Sequence, residues 1–159
     1  MPEVKISIEG GDKLAALMRD PEFVRGPLKR FLTTAAFAVE RHIKEGAPVD
    51  TGRLRSSVTT NISELTASVG PTVHYAPFVE FGTRPHWPPR GALQPWAGRH
   101  GFPAGAKGDW LVRFIISKRG TKPHPFVRPA AKRALPDIRH AVGEFLAEIR
   151  VRWSRRAVP

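Results

Sequence analysis

Nine residues, Tyr75-Ala76-Pro77-Phe78-Val79-Glu80-Phe81-Gly82-Thr83, restrict the chain more than any other stretch. Proline has a fixed φ and no N–H, so Pro77 suits the first turn of a helix. Gly82 suits the left-handed residue just past its end. The spacing predicts one short, mostly buried helix with Tyr75, Phe78 and Phe81 on one side. Glu80 then lies among apolar neighbours. A buried carboxylate needs a partner, and in an Arg-rich chain a guanidinium is the expected one. The plainer reading is a core helix with one satisfied acid.

From the start of the chain, Val4, Ile6 and Ile8 alternate with Glu3, Lys5, Ser7 and Glu9, the pattern of a half-buried strand closed by Gly10-Gly11. Asp12 can cap a short helix through Met18. A long amphipathic helix is expected over about Pro27 to Glu45, with Leu28, Phe31, Leu32, Ala35, Val39 and Ile43 as one apolar stripe and Gly46 as its end. Phe37 falls on the opposite side and wants a second surface, such as a subunit contact. In Asp50-Thr51-Gly52-Arg53-Leu54-Arg55-Ser56-Ser57, Asp50 or Thr51 can cap a short helical turn. Val58 to Ile62 and Ala67 to Val69 then alternate as a β-hairpin ending at Gly70-Pro71.

Downstream, Arg84-Pro85-His86-Trp87-Pro88-Pro89 is too Pro-rich for a helix or a central strand and reads as an extended arm. A helix carrying Leu93 and Trp96 is expected from Ala92. Asp109 can cap a second one over Trp110 to Lys118, with Gly120 after it, but periodicity alone leaves a strand open there. That second piece is apolar nearly all round, so it has to pack on the core or on a neighbouring subunit. Between Arg84 and Arg133 eleven Lys/Arg stand against one acid, Asp109. Lys118, Arg119 and Lys122 form a basic loop able to contact phosphates. The plainer reading is a solvated face. Arg128-Pro129 can start the last helix. Ala131, Leu135, Ile138, Val142, Leu146, Ile149 and Trp153 form its stripe, with a kink or break expected at Pro136. Arg150, Arg152, Arg155 and Arg156 read as a solvated basic tail over 150–159.

The chain's 159 residues suffice for one domain, 1–159, with an insertion over 84–123. No run is long enough to span a bilayer, and no secretion signal pattern opens the chain. The absence of cysteine removes disulfides and thiolate metal sites. A net charge of +12 favours polyanionic surroundings, nucleic acid or an acidic protein. The histidines show no tight metal spacing, and no phosphate-cradling Gly loop or nucleophile elbow is present. An Asp50–Glu80 nuclease pair is conceivable. Arg–carboxylate bridges are the simpler use of both acids.

A long helix, then Asp50-Thr51-Gly52, Leu54, Arg55 and Ser57, a hairpin, then Tyr75, Ala76, Glu80, Phe81, Gly82 and Thr83, and later Pro125, Phe126, Arg128 and Pro129: this order resembles the family of small tailed-phage neck and tail-completion proteins. The resemblance spans roughly residues 25–150, and because insertions in this family look helical it implies a helix over 110–118. It implies a non-enzymatic α+β subunit without cofactors, a small antiparallel sheet packed against a long N-terminal-half helix and a long C-terminal helix. It also implies a ring, six-fold by family expectation, at the virion's head–tail junction. Other connector, terminator or tail-tube proteins would be its partners, with DNA passing through. Such a protein is made in the bacterial cytoplasm. Asp50, Arg55 and Glu80 are expected to orient the motif loops, and Phe37, Trp87 and Trp110 to be buried between elements or subunits. The alternative is a basic nucleic-acid-binding domain acting as a monomer or dimer, which would bind DNA with steep salt dependence.

Overall fold

The computed structural model describes residues 21–157. The expected strand over Glu3–Glu9 and the Asp12–Met18 helix lie outside them. The first element is α1 (Pro21–Gly46), followed by α2 (Arg53–Ser56), β1 (Val58–Ile62), β2 (Ala67–Pro71) and α3 (Ala76–Phe81). Then come α4 (Gln94–Arg99), α5 (Ala106–Arg119), α6 (Val127–Arg133) and α7 (Leu135–Ala157). The class is α+β, as expected, and among the described residues the sheet is one antiparallel hairpin.

The hairpin register pairs Val58 with Pro71, Thr60 with Val69 and Ile62 with Ala67. Val58 is buried, while Thr59 and Asn61 face water, so the period-two pattern works as read. Helix α1 is the common support, against which both strands, α6 and α7 pack. Pro27 sits inside α1, where it lacks the N–H that would bond the Phe23 carbonyl. Arg152 Nη1 of α7 donates to that carbonyl instead, at 3.3 Å. Two further polar joints tie α7 to α1. Arg30 bonds Glu148, and Asp137 accepts from Arg41 at 2.8 Å and lies 3.0 Å from His42 Nε2.

The C-terminal stripe departs from expectation. Pro136 falls in the first turn of α7, and the break lies at Ala134, between α6 and α7. The positions turned inward are Ala130, Ala134 and Ala141; Phe145, its ring 5.8 Å from that of Phe31, is half-buried, as are Ile138, Ile149 and Trp153 of the expected stripe. Ala131, Leu135, Val142 and Leu146 are exposed. Small residues won the interface because they let α7 lie close along α1. The four C-terminal arginines belong to α7, which continues to Ala157.

Residues 84–120 leave the body and return to it. Their base is a backbone bridge between Thr83 and Thr121, with N–H···O distances of 3.2 Å in both directions. Gly82 (φ 69°) and Gly120 (φ 70°) flank that bridge in positive-φ conformations. A Cβ on Gly82 would run into the Thr121 carbonyl, and one on Gly120 into the Thr83 carbonyl. Within this lobe α4 packs on α5 around Ala97 and Val112. The segment Trp110–Lys118 is helical, as the resemblance implied, and α5 begins three residues before Asp109. Asp109 therefore caps another turn: its buried carboxylate accepts from the Gly91 and Leu93 amides at 3.0 and 3.1 Å.

Candidate assembly surface

The three sequence motifs meet on one core. Leu54 from the first, Ala76 from the second and Phe126 from the third are all buried in the cluster that contains Ile43, Ala47, Val58 and Ala130. Local chemistry sets up each arrival. Gly52 adopts φ 79° ahead of α2, which turns Leu54 inward. Pro77 occupies the first turn of α3, and Gly82 ends it.

Glu80 holds the second and third motifs together. It is only 5% exposed, and its partner is backbone rather than the expected arginine. The amides of Phe126 and Val127 donate to Oε2 at 2.7 and 2.9 Å, and that of Arg128 donates to Oε1 at 3.1 Å. These are the free N–H groups that open α6, so Glu80 caps that helix from a distant part of the chain. Burial pushes its carboxyl up, but the three amides and then the Arg128 charge outweigh this and hold it below the ordinary value. Arg128 turns its guanidinium over the Phe81 ring, 4.9 Å from the centroid.

The face assigned to α3 is corrected. Phe78 and Phe81 are exposed, Tyr75 is half-buried, and the buried side is Ala76 and Glu80 with Val79 packed against the core. In so short a helix only one face meets the core, and the Glu80 cap fixes which one. The capping role given to Asp50 or Thr51 is also corrected, because no side chain caps α2. Asp50 instead accepts from Arg99 Nε and Nη2 at 2.7 and 2.5 Å, a bidentate bridge from the first motif to the lobe. The Arg99 hydrogen bonds hold the Asp50 carboxyl below its ordinary value. Arg55 is exposed and lines a shallow groove with Phe37, Glu40 and Lys44.

Asp50 and Glu80 are thus engaged by different partners, Arg99 and the α6 amides, which is the chemistry of tethers. No cluster of three or more potential metal ligands occurs among the described residues. No helix there is long and apolar enough to cross a membrane.

The outward face carries the aromatics. Within the subunit Phe37, Trp87 and Trp110 are 55%, 56% and 52% exposed, so of the expected burial between elements or subunits only the contact between subunits stays open. Trp110 stacks on Phe114 with centroids 5.3 Å apart, and Trp87 lies 6.5 Å from the same ring. Arg113 sits over Trp87, and its Nε donates to the Pro88 carbonyl at 2.8 Å. Lys118 and Arg119 occupy the last turn of α5, where cations complement the helix dipole, and Lys122 follows in the exposed strand of chain beyond.

Sequence reasoning gave Asp109 a different turn to cap and missed Arg99 and Thr121. Asp109 left a signal, since a lone acid in a basic stretch is a candidate for internal use. The partnership of Arg99 with Asp50, 49 residues away, left none.

Comparisons with curated proteins and with solved structures find no match. A family model matches residues 13–82, which takes in the first motif and the second through Gly82 and stops short of Phe126, Arg128 and Pro129. Over that span the chain is similar to the family described as "Bacteriophage HK97-gp10, putative tail-component", in keeping with the phage neck and tail-completion proteins that its motif order resembles.

Proposed function

We propose that this protein is a structural tail component of a bacteriophage virion, acting through assembly and not through catalysis. The observation that carries the reading is the family match over residues 13–82, whose motif residues serve packing, capping and tethering. In the finer form of the proposal, copies close into a ring at the head–tail junction or upper tail, join other phage proteins and let DNA through. Asp50 and Glu80 keep the motif loops in place. Phe37, Trp87 and Trp110 are the aromatics offered to neighbours, and Lys118, Arg119 and Lys122 are the cations nearest the passing DNA.

Native mass by light scattering, with electron microscopy of the same fractions, tests this. The expected result is a closed ring, formed alone or on addition of portal or tail proteins. A monomer indifferent to those proteins that shifts on added DNA would overturn the assembly reading.

A further inference from the structure

The outward face of α5 reads Lys107, Trp110, Phe114, Lys118, all exposed and at helical spacing, with Trp87 beside it. Residues 84–123 hold eight Lys/Arg and one acid, and that acid, Asp109, is buried on the Gly91 and Leu93 amides. The lobe therefore shows water an apolar patch with a basic rim and no accessible acid. Two lobes facing each other would repel.

The rest of the described chain is poorly suited to cover the patch. Each of its nine acids already has a basic side chain or a backbone N–H of the same subunit within reach. Each aromatic ring also has one face taken within the subunit. Arg113 covers a face of Trp87 at 5.5 Å, Lys118 a face of Phe114 at 5.7 Å, and Trp110 lies against Phe114. Base stacking needs open ring faces. Protein contact can use ring edges and side-chain stems.

We infer that the α5 face with Trp87 is a docking surface for a different protein, one presenting an apolar centre ringed by Asp and Glu. This rests on the tail reading only in placing that partner among virion proteins.

The test uses the full chain and fluorescent probes read by anisotropy. The probes are a helical Leu/Glu peptide, the same peptide with every Glu replaced by Gln, and a single-stranded oligo-dT. The Leu/Glu peptide should bind about tenfold more tightly than its Gln counterpart. That preference should fade with salt. Trp110→Ala with Phe114→Ser should weaken binding about tenfold with an unchanged thermal melt. Lys107→Glu with Lys118→Glu should abolish the preference for Glu. Equal binding of both peptides, or no binding, would overturn the inference. So would oligo-dT binding as tightly as the Leu/Glu peptide, or self-association that Trp110→Ala abolishes. Loss of the peptide preference with ring assembly intact would sink this inference alone. Peptide binding by a chain that never assembles would sink the ring alone.

Discussion

Glu80 is the residue on which two distant parts of the chain depend. Removing its carboxylate leaves the amide of Phe126 buried without an acceptor. Glu80→Ala should cost about 2 kcal/mol in urea unfolding, and Glu80→Gln, which keeps one acceptor oxygen, somewhat less. The sign with pH follows from the lowered folded-state value. Its stabilisation is complete above the ordinary Glu pKa of about 4.3 and is lost as pH falls through the lower folded-state value. The gap between wild type and Glu80→Gln in urea midpoint should therefore be wide at neutral pH and narrow under strong acid; a gap independent of pH would contradict the capping role. Glycine gives a second residue-scale contrast. Gly120 has φ 70° and faces the Thr83 carbonyl, whereas Gly143, inside α7, has nothing near its missing Cβ. Gly120→Ala should destabilise by more than about 1 kcal/mol. Gly143→Ala should be neutral or stabilise by up to about 1 kcal/mol, both read from thermal melts.

Among elements, α7 and the lobe carry the clearest expectations. The close approach of α7 depends on Ala134 and Ala141, so Ala141→Leu should overpack the joint and cost about 1–3 kcal/mol. Leu146→Gln, on the exposed side, should leave the subunit's melt within about 0.5 kcal/mol. Equal losses from the two would mean that the helix lies the other way round. The lobe is held at its base by the Thr83–Thr121 bridge and at its side by Asp50–Arg99. Because that ion pair is exposed, Arg99→Ala should leave the global melt almost unchanged while speeding proteolysis and amide exchange within residues 84–120. Protection that stays as in the wild type would show that the bridge to Asp50 does not restrain the lobe.

For the whole molecule, the long helices, the hairpin and the break near Pro136 were legible in the residues. Each rests on a local rule: helical or alternate spacing of apolar side chains, or the missing N–H of proline. The positive φ of Gly82 was legible in the same way, whereas Trp110–Lys118 is apolar nearly all round and its spacing fits helix or strand. The identity of Glu80's partner was not, because a carboxylate's need for donors is local while the three amides of α6 come from 46 to 48 residues away. The inward face of α7 was misread in part for a related reason: Ile138, Ile149 and Trp153 are half-buried, but the rest of the expected stripe is not. Leu135, Val142 and Leu146 are the more apolar residues, but the close contact with α1 rewards small side chains, and only the packed pair reveals that distance. The same holds for the pairing of Asp50 with Arg99, and for Trp87, Trp110 and Phe114 gathering on one outward face. Sequence pattern thus marked out the long helices and the hairpin, since secondary structure follows from near neighbours along the chain. Tertiary packing decided which side chains are spent inside the subunit and which are left for a partner, since that depends on residues far apart in sequence meeting in space.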